Sequence, residues 1–313
     1  MDVLATPKTS HKLALDGIGH LAVPVSDLAA ATAFYRDLGF SDFGSDVIPH
    51  CGPHTALKAA SGQVLALVPT AEVPDRRDTG VHQAYRVTAA ERAAIGTRLA
   101  TQGIEVLTYK EDRPAEESDN FYVFDPSGNR VQLVAVKGLA KGTGILGIDH
   151  AAVLVADMLW SEKFYGEDLG LIEDHRVGWK TADYARARKW ADGEESMAPG
   201  TRRLDQRYTV MVNRKSVPRA NMQLFYRAGD AVLGIYLANK HFQESPEEQA
   251  VGTPRVAFAA PRASLDRAAA LVAATGRAVE GPVAHPASSH LEASVYFRDP
   301  GGNFIEICTP RKR

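Results

Sequence analysis

Cysteine is nearly absent: 313 residues hold two, Cys51 and Cys308. Two thiols cannot staple a chain of this size, so no disulfide framework is expected, and a reducing compartment is. Cys308 lies in an apolar stretch and reads as a small core residue. An excess of one charge is also lacking. The 36 Lys and Arg against 38 Asp and Glu leave −2, which argues against a dedicated nucleic-acid partner. No run of 18 apolar residues occurs, so no membrane span is expected. Met1 to Lys12 contains no apolar signal core, and a cytoplasmic location is expected. A glycine-rich phosphate loop, a serine nucleophile elbow and a Cys-x-x-Cys pair are all missing, which removes those chemistries.

What the chain does have is a repeat. Gly19-His20-Leu21-Ala22-Val23 leads to Asp27-Leu28 and then Phe34-Tyr35-Arg36-Asp37-Leu38-Gly39. Asp149-His150-Ala151-Ala152-Val153 leads to Asp157-Met158 and then Phe164-Tyr165-Gly166-Glu167-Asp168-Leu169-Gly170. His150 follows His20 by 130 residues, and Tyr165 follows Tyr35 by 130. Each copy closes alike, with Asp125-Pro126-Ser127-Gly128-Asn129 before Gln132 and Asp299-Pro300-Gly301-Gly302-Asn303 before Glu306. A tandem duplication follows, with modules at 1–138 and 145–313 and a Gly/Lys-rich linker between.

Within each copy the pattern reads strand, helix, strands, twice over. Ile18 to Val25 and Ile148 to Val155 are β-branched apolar runs. Asp27 and Asp157 stand at N-cap positions, and Leu38-Gly39 and Leu169-Gly170 end those helices. Further helices are expected over Ala89 to Thr101 and Ala263 to Thr275. The fold class is therefore α+β, each module a pair of βαβββ units. Copy two is longer, mainly between Glu173 and Asn221. From Arg176 to Arg219 that insert has eleven Lys/Arg against five Asp/Glu, with Trp179, Tyr184 and Trp190. A solvated excursion or an anion-attracting lid are both compatible with it.

The Gly/Asp-His-x-Ala-Val opening, the Phe-Tyr helix ending in Leu-Gly and the Asp-Pro-x-Gly-Asn close resemble the vicinal oxygen chelate superfamily. That group includes glyoxalase I, the fosfomycin and bleomycin resistance proteins and the extradiol ring-cleaving dioxygenases. The resemblance implies cupped half-barrel sheets around a divalent metal, with ligands from the first, fifth and eighth strands, commonly two His and one Glu. Those positions here are His20 and His150, His82 and Arg255, and Gln132 and Glu306. Neither copy has the full set, since Arg255 cannot ligate a cation and Gln132 lacks a charge. Some relatives exchange halves between modules, which would group His20 with Arg255 and Glu306, and His150 with His82 and Gln132.

The first metal set expected from the resemblance is His150 and Glu306 with His241; the second is His20, His82 and Gln132. Strand parity puts His290, Glu292, Ser294 and Tyr296 on one face, which the resemblance implies is turned toward the cavity, and the resemblance then makes His290, Glu292 and Tyr296 the expected catalytic residues. Arg255, Tyr236 and Trp179 are expected at the substrate. The reaction implied first is extradiol-type ring cleavage with Fe(II); Mn, Zn, Ni or Co would suit other members. The alternatives are a glyoxalase-like isomerase or epimerase with Glu306 as base, a fosfomycin-type thiol transferase, or a metal-free small-molecule binding protein with an Arg255–Glu306 ion pair. Partners are expected to be a small anionic or aromatic molecule and a second copy of the chain.

Overall fold

The structure is a computed structural model and describes residues 12–71, 73, 81–108, 121–139, 141–155, 158–177, 210–212, 215–217, 223–237 and 255–311. The first copy runs β1 (Gly17–Val25), α1 (Leu28–Asp37), β2 (Ser41–Ser45), β3 (Thr55–Lys58), β4 (Val64–Pro69), β5 (Gln83–Val87), α2 (Ala89–Thr101), β6 (Leu107–Thr108), β7 (Phe121–Phe124) and β8 (Arg130–Ala135). The second runs β9 (Gly147–Val155), α3 (Met158–Glu162) continued by a π-turn (Lys163–Asp168), β10 (Glu173–Val177), β11 (Val210–Val212), β12 (Lys215–Val217), β13 (Gln223–Ala228), β14 (Ala231–Leu237) and β15 (Arg255–Ala259). It ends in a short 3-10 turn (Arg262–Ser264), α4 (Leu265–Ala274), β16 (Val279–Ala284), β17 (Leu291–Arg298) and β18 (Phe304–Pro310).

The α+β architecture is two eight-stranded sheets plus the β11–β12 hairpin. Sheet A has the order β16-β17-β18-β15-β1-β4-β3-β2, and sheet B has β10-β13-β14-β9-β5-β8-β7-β6. Each sheet therefore draws half of its strands from each sequence copy. The halves are exchanged: β1 pairs antiparallel with β15, and β5 with β9. The ranges 1–138 and 145–313 mark copies of the sequence, and the sheets cut across them.

Alternation decides what each sheet face carries. Leu21, Val23, Val256, Ile305 and Ile307 of sheet A turn to the helices, as do Tyr85, Val131, Leu133, Ala151 and Val153 of sheet B; all belong to one continuous apolar core. Their neighbours in sequence turn to the opposite, cupped faces. At the start of α1, Asp27 accepts a hydrogen bond from the Ala30 amide (2.9 Å) as the expected N-cap. Asp157 lies outside the described residues.

The Asp-Pro-x-Gly-Asn segments are fasteners rather than chemistry. Buried Asp125 accepts from the Ser127 and Asn129 amides and from the Tyr35 hydroxyl at 3.1 Å. The Asn129 amide group donates to the Pro24 carbonyl (2.8 Å) at the end of β1. Asp299 likewise accepts from the Asn303 amide and the Tyr165 hydroxyl (2.9 Å), and Asn303 donates to Leu154. Each fastener ties a strand of one sheet to a turn of the other. Burial raises both aspartates above the usual carboxylate value, and the facing tyrosines are raised too, by burial and then by those carboxylates.

Candidate metal centre

Sheet register shows which polar residues share a cup. In sheet B, Ala84 of β5 lies opposite His150 on one side and Gln132 on the other. His82 is two residues from Ala84, at the mouth of the same strand. In sheet A, Ala257 of β15 lies opposite His20 and Glu306, and Arg255 is two residues from it. Tyr122 stands opposite Gln132 as Tyr296 stands opposite Glu306. The two sheets are thus equivalent position by position, with Arg255 at the place of His82. The Arg255 side chain lies outside the described residues.

This corrects both expected metal sets. His150 and Glu306 belong to different sheets, and so do His20 and His82. The first set is split because the chain exchanges halves, and the second for the same reason. His241 lies outside the described residues. What the fold brings together is His82, His150 and Gln132 in sheet B, and His20 and Glu306 in sheet A.

In sheet B the His82 and His150 Nε2 atoms converge at 2.8 Å. The other ring nitrogen of His150, Nδ1, is held by the Asp149 carboxylate at 2.7 Å. In a neutral ring that contact puts the proton on Nδ1 and leaves an Nε2 lone pair aimed into the cup. Arg86 holds Asp149 from behind (3.0 Å) and also reaches Asp230. Burial would raise the Asp149 carboxyl, but the hydrogen bond and charge of His150, with Arg86, outweigh it and bring it to about 2. The Gln132 Oε1 atom is buried with no hydrogen-bond partner among the described residues. Two converging imidazoles, with a buried amide oxygen on the same sheet face, are donor types that suit a divalent ion.

The walls of that cup are aromatic. Tyr122 lies edge-on to His82 with ring centres 5.4 Å apart, and Tyr236 is 5.9 Å from His82. Phe225 follows Tyr236 at 5.8 Å, and His175 stacks on Phe225 at 4.1 Å. Between them Gly234 and Ala152 pair across β14 and β9 as a floor without bulk. A Cβ on Gly234 would meet Tyr236 at 3.0 Å and Phe225 at 3.1 Å. Tyr236 therefore lines this cup; Trp179 lies outside the described residues.

Sheet A is closed. His20 and Glu306 are both fully buried, 3.1 Å apart. Glu306 also accepts from the Ser294 hydroxyl (2.7 Å), which His285 contacts at 3.0 Å, and Tyr296 touches His285 at 3.2 Å. The loop from Asp46 to His54 covers this cup, with Ile48 and Cys51 buried against Ala257 and Cys308. The expected catalytic trio is also corrected. Tyr296 and Ser294 face the sheet A cup, but a bulge between Leu291 and Ala293 breaks the alternation. Leu291 takes the inward place, Glu292 is exposed, and His290 packs edge-on to Phe43 at 5.0 Å. His285, from the end of the neighbouring strand, supplies the imidazole instead. Its sequence signal was weak, because it sits beyond β16 in a Pro-rich turn.

Residues 17–133 match the Glyoxalase/Bleomycin resistance protein/Dioxygenase superfamily. Among solved structures, a candidate dioxygenase of Bacillus subtilis subsp. subtilis str. 168 is similar over 96% of this chain and 87% of its own, at 17% identity and a TM-score of 0.64. Glyoxalase I of Zea mays is similar over 94% of this chain and 92% of its own, at 14% identity and a TM-score of 0.57. At these identities the likeness concerns the fold. Comparison with curated protein sequences gave no match.

Proposed function

We propose that this chain, a tandem two-module member of the glyoxalase/bleomycin resistance/dioxygenase fold, is a metal-dependent enzyme whose working centre lies in sheet B. The observation that carries the reading is the convergence of the His82 and His150 Nε2 atoms at 2.8 Å, with Asp149 fixing the far side of His150. Gln132 is the third donor. A divalent ion there, Fe(II) first, would act as a Lewis acid that chelates adjacent substrate oxygens and orients them.

The protein's own part is positioning. Asp149 and Arg86 hold His150 in one tautomer and one orientation. Tyr122, Tyr236, Phe225 and His175 offer ring faces and edges to a planar substrate laid over the Gly234–Ala152 floor. Extradiol-type ring cleavage of a small aromatic substrate is the reaction that fits these walls. A glyoxalase-like isomerase with Glu306 as base fits less well, because Glu306 lies in the other sheet. Asp149, the carboxylate beside the pair, is already engaged by His150 and Arg86.

The test is metal content and oxygen uptake with catechol-type substrates. His82→Ala and His150→Ala should each remove the sheet B metal and all turnover. Asp149→Asn should weaken metal binding by about 10- to 100-fold while leaving the fold intact. Full metal occupancy in the His82→Ala/His150→Ala double variant, with Fe(II) retained and turnover unchanged, would refute the assignment.

A further inference from the structure

At the edge of sheet A, where the chain leaves α4 and enters β16, lies a groove of about 470 Å3 whose walls include Arg277, Glu280, Tyr296, Arg298 and Phe304. The Arg298 guanidinium sits 5.6 Å over the Phe304 ring and donates to the Gly302 carbonyl at 2.7 Å. The Arg277 guanidinium sits 5.5 Å over Phe164 and donates to the Asp299 carbonyl at 3.3 Å. Those carbonyls belong to one turn, since the Gly302 amide also donates to the Asp299 carbonyl. Both arginines are thus held at the same end of the groove. Both are partly buried, and among the described residues neither has a carboxylate partner. The Asp299 carboxylate is taken up by Tyr165 and Asn303. Glu280 stands at the other end. It lies opposite Tyr296, two residues short of Arg298, and 3.8 Å from His50.

The first copy shows that the fold does not demand Arg277. Ile104 follows Gly103 after α2 and packs against the core; Arg277 follows Gly276 at the matching place after α4. In sheet B, Phe124 lies opposite Arg130 as Arg298 lies opposite Phe304 in sheet A, but Arg130 is only 3% exposed. A cation beside a ring is packing there, whereas sheet A adds an opening and a second guanidinium. A partly dehydrated guanidinium without an anion is costly, and an anion bound between the two removes that cost. We infer that this groove is a binding site, separate from the His82–His150 centre, for a small aromatic carboxylate with a hydrogen-bond donor at its far end, of the hydroxybenzoate kind. Planar guanidinium forks match a carboxylate. The Tyr296 and Phe304 rings lie nearly parallel, 9° apart in plane, and give a flat apolar wall. Glu280 accepts from a hydroxyl at the far end and repels a second carboxylate, which selects a monoanion. The volume is that of a small-molecule site, and the site needs no metal.

The test is calorimetric titration of 4-hydroxybenzoate into the full chain, freed of metal with a chelator. The probe should bind at one site, and the His82→Ala/His150→Ala double variant should bind it equally well. Failure of the sheet B assignment is therefore read separately from failure of this one. Arg277→Ile, which places the first copy's residue type there, and Arg298→Gln should each weaken binding by about tenfold or more. Terephthalate, with its second carboxylate, should bind more weakly than 4-hydroxybenzoate, and Glu280→Gln should narrow that gap. Wild-type protein with no saturable binding up to about 10 mM probe would overturn the inference. So would an affinity unchanged in Arg277→Ile and Arg298→Gln, or one lost in the His82→Ala/His150→Ala variant, which would put the probe in sheet B. Inorganic phosphate that displaces the probe as well as benzoate does would show a plain anion site and overturn the aromatic class. Circular dichroism checks the fold of each variant.

Discussion

At the scale of single residues, identity and position carry different amounts of information. His20 and His150, and Gln132 and Glu306, stand at equivalent points of the repeat, whereas His82 has Arg255 as its counterpart and, like the others, is a candidate ligand only through the family resemblance. Gln132 is the informative departure. It keeps the size of a glutamate and gives up the charge. Gln132→Glu should tighten divalent metal binding in sheet B by about tenfold or more, roughly 1.4 kcal/mol; isothermal titration with Mn(II) that finds equal or weaker affinity would remove Gln132 from the ligand set. The fastening aspartates make a second prediction. Asp125 and Asp299 have folded-state values raised above the ordinary 3.8 by burial. A raised value means that their contribution is fully present below the unfolded value and is lost as pH rises through the folded one. Asp125→Asn/Asp299→Asn cannot ionise. Urea midpoints from pH 3.5 to 7 should therefore show the variant gaining on the parent as pH rises; a constant difference would mean that burial does not control these groups. Glu292 and His290 were misplaced for a physical reason. Period-2 alternation holds only while the ladder is unbroken, and one bulge at Leu291/Ala293 reverses the faces beyond it.

At the scale of elements, the first-copy helices matched their sequence signals closely, and α2 spans the expected Ala89–Thr101. The second copy shows what one extra residue does. Tyr165 follows Tyr35 by 130 residues, but Leu169 follows Leu38 by 131. The surplus residue is absorbed as the π-turn Lys163–Asp168, where the first copy has regular α-helix. Gly166 sits in that turn, and the Tyr226 hydroxyl lies where its side chain would be, reaching the Glu162 carbonyl at 3.2 Å. A Cβ on Gly166 would come within 2.9 Å of that hydroxyl and 3.5 Å of the ring. Gly166→Ala should therefore destabilise the parent by about 1 kcal/mol or more, against the gain alanine usually brings to a helix. In a Tyr226→Phe background the oxygen is gone and only ordinary contact remains. The double-mutant cycle should give a favourable coupling of about 1 kcal/mol. Additive effects would show that the π-turn is set by something other than this contact.

At the scale of the whole molecule, the duplication was plain in the sequence, yet which half joins which was left open there. Nothing local encodes it: β1 and β5 have equivalent patterns, and either could pair with β9 or β15 by alternation alone. The choice is made by tertiary geometry around the linker. Gly39 and Gly144 touch so closely that a Cβ on Gly39 would lie 2.4 Å from the Gly144 Cα, and the Ile145 amide donates to the Gly39 carbonyl at 3.1 Å. Ala60 and Ser61 then take the Ile145 and Leu146 carbonyls, so the second copy begins pinned to the β3–β4 turn of the first. Separate copies would leave β1, β5, β9 and β15 each with an unpaired edge, a template for self-association. The chain cut in the exposed turn between Gly138 and Leu139 makes the prediction concrete. Residues 1–138 and 139–313, expressed together, should purify as a one-to-one complex. That complex should bind sheet B metal through His82 of one piece and His150 of the other. Either piece alone should self-associate or aggregate. Residues 139–313 isolated as a folded monomer with metal at His150 would show that the exchanged seams do not hold the molecule together, and that a single copy closes its own cup.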